Sequence, residues 1–310
     1  MKLITYKKDN IISIGAVNNN LIFDLHSLDN SIPNNMIDFI SNLDINIGKA
    51  NNAIDGNQGI DISEVQLLSP VLNPPSVKDG YAFRQHVATA RRNRGLEMIP
   101  EFDEIPIFYF TNHHAVYGEG DFEVLNDHLD KLDFELECAA VIGKKGRNIP
   151  ASEADNYIAG FMIMNDLSAR GMQMKEMKLN LGPAKGKDFG STFGPYLVTK
   201  DELESYRVSS PEGDRYKLGM KAFVNDIQVS EDNLSNMNWT FAQIIERVSY
   251  GADIFPGDII GSGTCGTGCF LELNGSKITD NQWLKPGDEV KLEIDKLGSL
   301  SNTIVLNKNG

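Results

Sequence analysis

No stretch of about eighteen consecutive apolar residues occurs in the sequence, so no segment reads as a membrane-spanning helix. Cysteine is scarce: Cys138, Cys265 and Cys269 are the only three in 310 residues. Their number is odd and no two have Cys-x-x-Cys spacing, which leaves reduced thiols in a reducing compartment as the expectation. Cys138 lies in an apolar run and reads as a small core residue. Positive charge is also short. The 29 Lys and Arg face 43 Asp and Glu, a net charge of −14. Such a surface repels a polyanion, which excludes nucleic acid as an expected partner. The start, MKLITYKKDNIISIG, is cut by Lys7, Lys8 and Asp9 before an apolar signal core can form. A cytoplasmic location, with no membrane partner, is therefore expected.

What is present suffices for a full core, at 41% hydrophobic residues. Residues 1–70 hold short strand-like pieces (KLITYK, NIISIGAV, NLIFDL), an Asn-rich stretch and one helix through NNMIDFISNL. They read as a small N-terminal domain. Pro70, Pro74 and Pro75 then make a stiff connection into a main domain over 71–310. There, YAFRQHVATARRNRG predicts a helix closed by Gly95, and SARGMQMKEMK and TFAQIIERVS predict helices capped by Ser168 and Thr240. IPIFYF, FELECAAVIG, YIAGFMIMND, GPYLVT, KLGMKAFVND, FLELNG and EVKLEID predict strands. Strands outnumber helices without alternating regularly with them, which predicts an α+β, β-rich fold rather than a doubly wound sheet.

Two nucleotide-like motifs are set aside. GSGTCG (261–266) matches G-x-G-x-x-G, but the CFLEL after it reads as a strand where a dinucleotide site needs a helix. GPAKGKD (182–188) has too short a gap for a P-loop, and Asp188 stands where Ser or Thr would hold Mg2+.

Glu135 and Glu137 pose a sharper problem. Two residues apart on one strand, they face the same way. An exposed edge strand would leave both in water. The apolar run around them predicts burial instead, where two adjacent carboxylates repel. A hard divalent cation resolves the conflict, because it takes several carboxylate oxygens at once. Asp166, at the end of YIAGFMIMND, and Asp79, in the Pro-rich entry, are candidates to complete its shell. His86 sits on an apolar helix face. It is either a core histidine or a general base, a role that suits imidazole. Arg170 and Gln173 lie one helical turn apart, and Lys187 lies in a glycine-rich loop. They are either surface polarity or a donor cluster for a carboxylate or oxyanion.

Taken in order, DFELECAAVIGK, IAGFMIMNDLSAR and LGPAKGKDFGSTFGPYLVT resemble the core signature of the fumarylacetoacetate hydrolase family, from about Asp79 to Glu272. DGYAFRQHV is similar to the segment of true fumarylacetoacetases that holds a metal-ligand aspartate, a substrate tyrosine and the catalytic histidine. The resemblance implies a rolled mixed sheet, usually in a homodimer. It implies that Asp79, Glu135, Glu137 and Asp166 hold Mg2+ or Ca2+, with Mn2+ also admissible. By the same resemblance His86, oriented by Glu272, would activate water. Arg170, Gln173 and Lys187 would bind substrate and stabilise an oxyanion, with Tyr81, Tyr109 and Thr264 as further substrate contacts. The implied substrate is a 1,3-diketo acid, with fumarylacetoacetate cleaved to fumarate and acetoacetate in tyrosine degradation. The alternatives are an acylpyruvate hydrolase, an oxaloacetate decarboxylase or a dienoic keto-acid isomerase or hydratase. Outside enzymes, the alternative is a metal-stabilised structural protein.

Overall fold

The computed structural model describes residues 1–307. Its larger sheet has twelve strands. Ten form its main path: β1 (Lys2–Lys8), β2 (Ile11–Asn18), β3 (Leu21–Asp24), β4 (Ile60–Asp61), β5 (Val77–Gly80), β6 (Phe108–Thr111), β7 (Leu136–Ile142), β8 (Ile158–Asn165), β9 (Ser191–Thr199) and β10 (Ile259–Gly261). Their order is β4-β3-β2-β1-β9-β8-β7-β10-β5-β6. All neighbours are antiparallel except β10 and β5, which run parallel. The first strands are continuous with the rest through β1, whose Lys2 and Leu3 pair with Val198 and Leu197. A second, five-stranded sheet contains Gly120–Val124, Gly219–Val224, Ile227–Asn233, Glu289–Ile294 and Gly298–Leu306. The α+β class expected from the sequence is the one observed.

β7 explains the long apolar run. Cys138, Ala140 and Ile142 pack into a core shared with Met220, Leu292 and Ile304 of the second sheet. Ala139 and Val141, on the other face, join a core with Phe39 and Ile40 of α1 (Met36–Ser41), beside α2 (Leu43–Ile54). A strand covered on both faces needs apolar residues at every position, which overrides the alternation of a half-exposed strand.

Four further helices carry or support the site: α3 (Arg84–Arg92), α4 (Arg170–Glu176), α5 (Phe241–Ser249) and α6 (Phe270–Gly275). Beyond α3, Gly95 adopts φ +72°, and its N–H donates to Arg92 O at 2.9 Å, so the chain turns where the sequence placed the stop. Thr240 caps α5 with a reciprocal Thr240–Gln243 capping box. Among the described residues, no helix is long and apolar enough to cross a membrane.

Three local expectations are corrected. FELECAAVIG starts late: Phe134 and Glu135 lie in a gap between the short strand Leu132–Asp133, which pairs with Ser168–Ala169, and β7, which begins at Leu136. At the gap the Glu135 N–H donates to the Asn165 side chain instead of a backbone ladder. Ser168 does not cap α4; its hydroxyl donates back to the Asp166 carbonyl, and α4 begins after Ala169 with no side-chain cap. FLELNG is α6, not a strand. Four alternating residues cannot separate the two periods. The choice is made by Asp133, whose carboxylate accepts the N–H groups of Phe270 (2.8 Å) and Leu271 (3.0 Å). GSGTCG therefore does lie between a strand and a helix, contrary to the reason given for setting it aside. The N-terminus of that helix is already taken by Asp133, which leaves no place there for a pyrophosphate.

Candidate metal centre and proton-transfer pair

Strand register assembles the acidic site. Leu136 of β7 lies opposite Asn165 of β8, so Glu135, Glu137 and Asp166 meet at one end of the sheet. On the other side of β7, Gly261 of β10 pairs with Asp79 of β5, and Asp79 pairs with Tyr109 of β6. A Cβ at 261 would come within 2.4 Å of Asp79 Oδ1 and 3.0 Å of Glu137 Oε2. Only glycine lets the two carboxyls close over that strand. Asp79, Glu135, Glu137 and Asp166 are all buried, each offering an oxygen within 4.8 Å of the others.

The charges are unevenly matched. Glu135 faces two cations. Arg170 donates to it at 2.7 Å and also to Asp133 at 2.9 Å. Lys187 donates to Glu135 and, at 2.5 Å, to Asp166. Burial opposes ionisation of Glu135, yet Lys187 and Arg170 hold its carboxyl below the ordinary range. Glu137 lacks such partners. Burial, with Asp79 and Glu135 beside it, pushes it well above the ordinary carboxylate range. Burial and the nearby Asp166 push Asp79 up to about 7. Among the described residues, Glu137 Oε2 has no hydrogen-bond partner.

These facts test the fit of a metal. Five buried acids (Asp79, Asp133, Glu135, Glu137, Asp166) surround two buried cations (Arg170, Lys187). The four that converge are hard oxygen donors, and one carries an orphaned buried oxygen. A buried polar atom without a partner is costly, and a hard divalent cation supplies the missing one. The residues fit a divalent-metal site.

Beside this cluster lies a cavity of about 400 Å³, whose wall includes Asp79, Tyr81, His86, Tyr109, Glu135, Arg170, Gln173, Lys187 and Thr264. Glu137, Asp166 and Glu272 stand behind that wall. α3 supplies His86 and α6 supplies Glu272, and His86 Nδ1 meets Glu272 Oε2 at 2.6 Å. A carboxylate accepts, so Nδ1 donates and Nε2 keeps a lone pair. The helices are locked together nearby, where Asn93 donates to the Ser276 hydroxyl at 3.2 Å. Tyr81 meets His86 edge-on, with ring centroids 5.9 Å apart. The Tyr109 hydroxyl donates to Asp166. Gln173 Oε1 accepts from Arg170 at 2.9 Å, which frees the Gln173 amide N–H2 to donate elsewhere. Thr264 lies near Glu137, with the hydroxyl 3.5 Å from Oε1.

Two participants carry signals that the sequence reading passed over. Asp133 is wholly buried and joins Arg170 to the start of α6. It stands two residues before Glu135, on the same alternation as the Glu pair. Arg94 lines the cavity with Ala90 and His86, at the four-residue spacing of a single helical stripe.

The family profile described as "Fumarylacetoacetate (FAA) hydrolase C-terminal" matches residues 76–305. The mitochondrial oxaloacetate tautomerase of Xenopus laevis is 31% identical over 287 residues, 92% of this chain and 82% of that protein. Its counterpart from Rattus norvegicus is 31% identical over 289 residues, covering 92% and 84%. Among solved structures, maleylpyruvate hydrolase from Sphingobium sp. SYK-6, in complex with manganese(II) and pyruvate, aligns with a TM-score of 0.73 at 22% identity, over 99% of this chain and 100% of that one. Fumarylacetoacetate hydrolase from the psychrophile Exiguobacterium antarcticum aligns with a TM-score of 0.72 at 22% identity, with the same coverage. These two share the fold. With the profile spanning most of its length, the chain belongs to the fumarylacetoacetate hydrolase family.

Proposed function

We propose that the protein is a divalent-metal-dependent enzyme that interconverts the keto and enol forms of oxaloacetate or a close 2-oxo diacid. One observation carries this reading: the His86–Glu272 pair, 2.6 Å apart, on the wall of a cavity that also reaches the acidic cluster. The names of the Xenopus and rat relatives support the choice of substrate. Asp79, Glu135, Glu137 and Asp166 would hold Mg2+, Mn2+ or Ca2+, which polarises substrate oxygens and stabilises enolate charge when bound.

The chain's own residues do the rest. His86 Nε2 takes a proton from the carbon between ketone and carboxylate, while Glu272 holds the ring and balances the imidazolium. The same nitrogen then delivers the proton to the former ketone oxygen, which completes the enol, and the reverse sequence converts enol to ketone. The Gln173 amide, aimed by Arg170, and the cations Arg170, Lys187 and Arg94 favour an anionic substrate.

A second reading keeps the same base but lets it activate water: hydrolytic C–C cleavage of a 1,3-diketo acid, fumarylacetoacetate to fumarate and acetoacetate. Its support is that an oriented histidine beside a metal serves either proton transfer. The test follows the decay of oxaloacetate enol, and the loss of fumarylacetoacetate and other 1,3-diketo acids, with Mg2+ and with EDTA. Metal-dependent enol decay above the buffer rate, with the diketo acids untouched, is expected. Fumarate release at comparable rates would select the hydrolase. His86→Ala should lower kcat by roughly 10²–10⁴-fold, the usual range for a lost general base. A folded His86→Ala protein with full activity, or a metal-free protein with full activity, would sink both readings.

A further inference from the structure

We infer that His86, Cys269 and Glu135 form a second metal site, one that takes a thiophilic divalent cation such as zinc and thereby silences the base. A ring nitrogen of His86, a carboxylate oxygen of Glu135 and the Cys269 sulfur lie within 4.8 Å of one another, and all three residues are buried. This donor set is chemically distinct from the four carboxylates next to it. Sulfur, imidazole and one carboxylate suit zinc, whereas oxygen alone suits Mg2+ or Ca2+. Three protein ligands leave the fourth tetrahedral position open. With metal–ligand bonds of about 2.0–2.3 Å, donors in a tetrahedral site stand roughly 3.5 Å apart, so a contraction of about an ångström closes the triangle.

Two further features favour the site. Glu272 already holds His86 through Nδ1, the carboxylate–histidine arrangement that orients metal-ligating imidazoles and leaves Nε2 for the cation. Cys269 immediately precedes α6, so one short segment supplies both the thiol and the histidine's partner. Burial raises the thiol well above its ordinary value, while Arg170 nearby acts in the opposite sense. Binding therefore expels the S–H proton to solvent as the metal–sulfur bond forms, with nothing oxidised or reduced. Glu135 would be shared, one carboxylate between a hard site and a soft one.

Occupation removes the lone pair that the proposed reaction needs. Inhibition thus rests on the function proposed above; binding does not. The test uses the full chain loaded with Mg2+ and titrated with Cd2+, whose sulfur-to-metal charge-transfer absorption reports a thiolate ligand. One equivalent with that band is expected. It should vanish in Cys269→Ser and persist in Cys138→Ser and Cys265→Ser. Serine is a preferred residue at a helix N-cap, so α6 should survive the change, and Cys269→Ala repeats the test without an oxygen. In turnover assays, Cys269→Ser should keep its Mg2+-supported rate within about twofold while needing roughly 10–100-fold more zinc for half-inhibition, a span typical of a weakened metal site. No band, a band retained without Cys269, or equal zinc inhibition of wild type and Cys269→Ser would overturn the site. If no tested keto acid is turned over, the cadmium titration still decides it, apart from the fate of the proposed function.

Discussion

Glu135 and Glu137 are two residues apart, equally hidden and part of one cluster, yet they live in opposite electrostatic worlds. Glu135 is surrounded by donors: Arg170, Lys187 and, through Arg170, the Asp133 brace. Glu137 has acids for neighbours and one oxygen without a hydrogen-bond partner among the described residues. The first half of the site is balanced by the protein itself. The second half has no such partners, and its carboxyls are neutralised by protons unless a cation takes their place. Burial alone therefore does not say what a carboxylate is for; its partners do.

The sharpest way to break this contrast is to neutralise each glutamate in turn. Glu135→Gln should cost about 1.5–3 kcal/mol of stability, because it weakens two charge-assisted bonds and leaves Arg170 with Asp133 alone and Lys187 with Asp166 alone, and activity should fall with it. Chemical denaturation of the metal-free protein measures this. Glu137→Gln should do the reverse. It replaces a carboxyl that burial and its acidic neighbours keep protonated by a neutral amide, so the metal-free protein should be no less stable than wild type. Metal binding should weaken and turnover drop at least a hundredfold, since a Lewis acid worth several kcal/mol is lost at 1.36 kcal/mol per factor of ten. Equal stability losses in the two variants would refute the asymmetry.

Glu272 gives an intermediate case, a buried acid with one partner of its own. Glu272→Gln keeps a hydrogen bond to His86 but no longer balances its charge. The expected loss in kcat is roughly tenfold, below that of His86→Ala, and the double variant should be no worse than His86→Ala alone, because the pair acts as a unit. Additive losses would separate the two residues.

The sequence made much of this arrangement legible, and where it failed the reasons are local. The run around Glu135 and Glu137 announced burial, and burial of paired acids announced a cation. Thr240, just ahead of a helical pattern, announced a cap. Asp133 was missed because one acid at the start of a strand looks ordinary until α6 is seen resting on it. α6 itself was misread because four of its residues, Leu271 to Asn274, alternate as a strand would, and its capping carboxylate lies 137 positions away in the chain. Ser168 looked like a cap by type, but its hydroxyl was taken by Asp166 O. Long-range partners decided each of these, and no window of local sequence contains them.

The smallest effect tests the proton content of the unbalanced half. Burial pushes Asp79 up to about 7, and Glu137 well above the ordinary carboxylate range, in the metal-free protein. A cation needs both as carboxylates, so binding must release protons. The sign for stability follows from the raised values. In the metal-free fold the stability associated with Asp79 is fully present below its unfolded value, near 3.9, and is lost as pH rises through about 7. Metal restores it by replacing the proton. Apparent metal affinity should thus climb more than tenfold per pH unit below about 7, where Asp79 and Glu137 both give up a proton per cation bound, and less steeply above. Calorimetric titration with Mg2+ in buffers of different ionisation enthalpy reads the proton count directly. The gap in melting temperature between Mg2+-loaded and EDTA-treated protein should widen from about pH 5 to about pH 8 for the same reason. In Glu137→Gln one of the two protons to be displaced is gone, so fewer protons should be released and the gap should flatten. An affinity independent of pH across that range would mean that the Asp79–Glu137 half holds no proton, and that the contrast with Glu135 is not electrostatic.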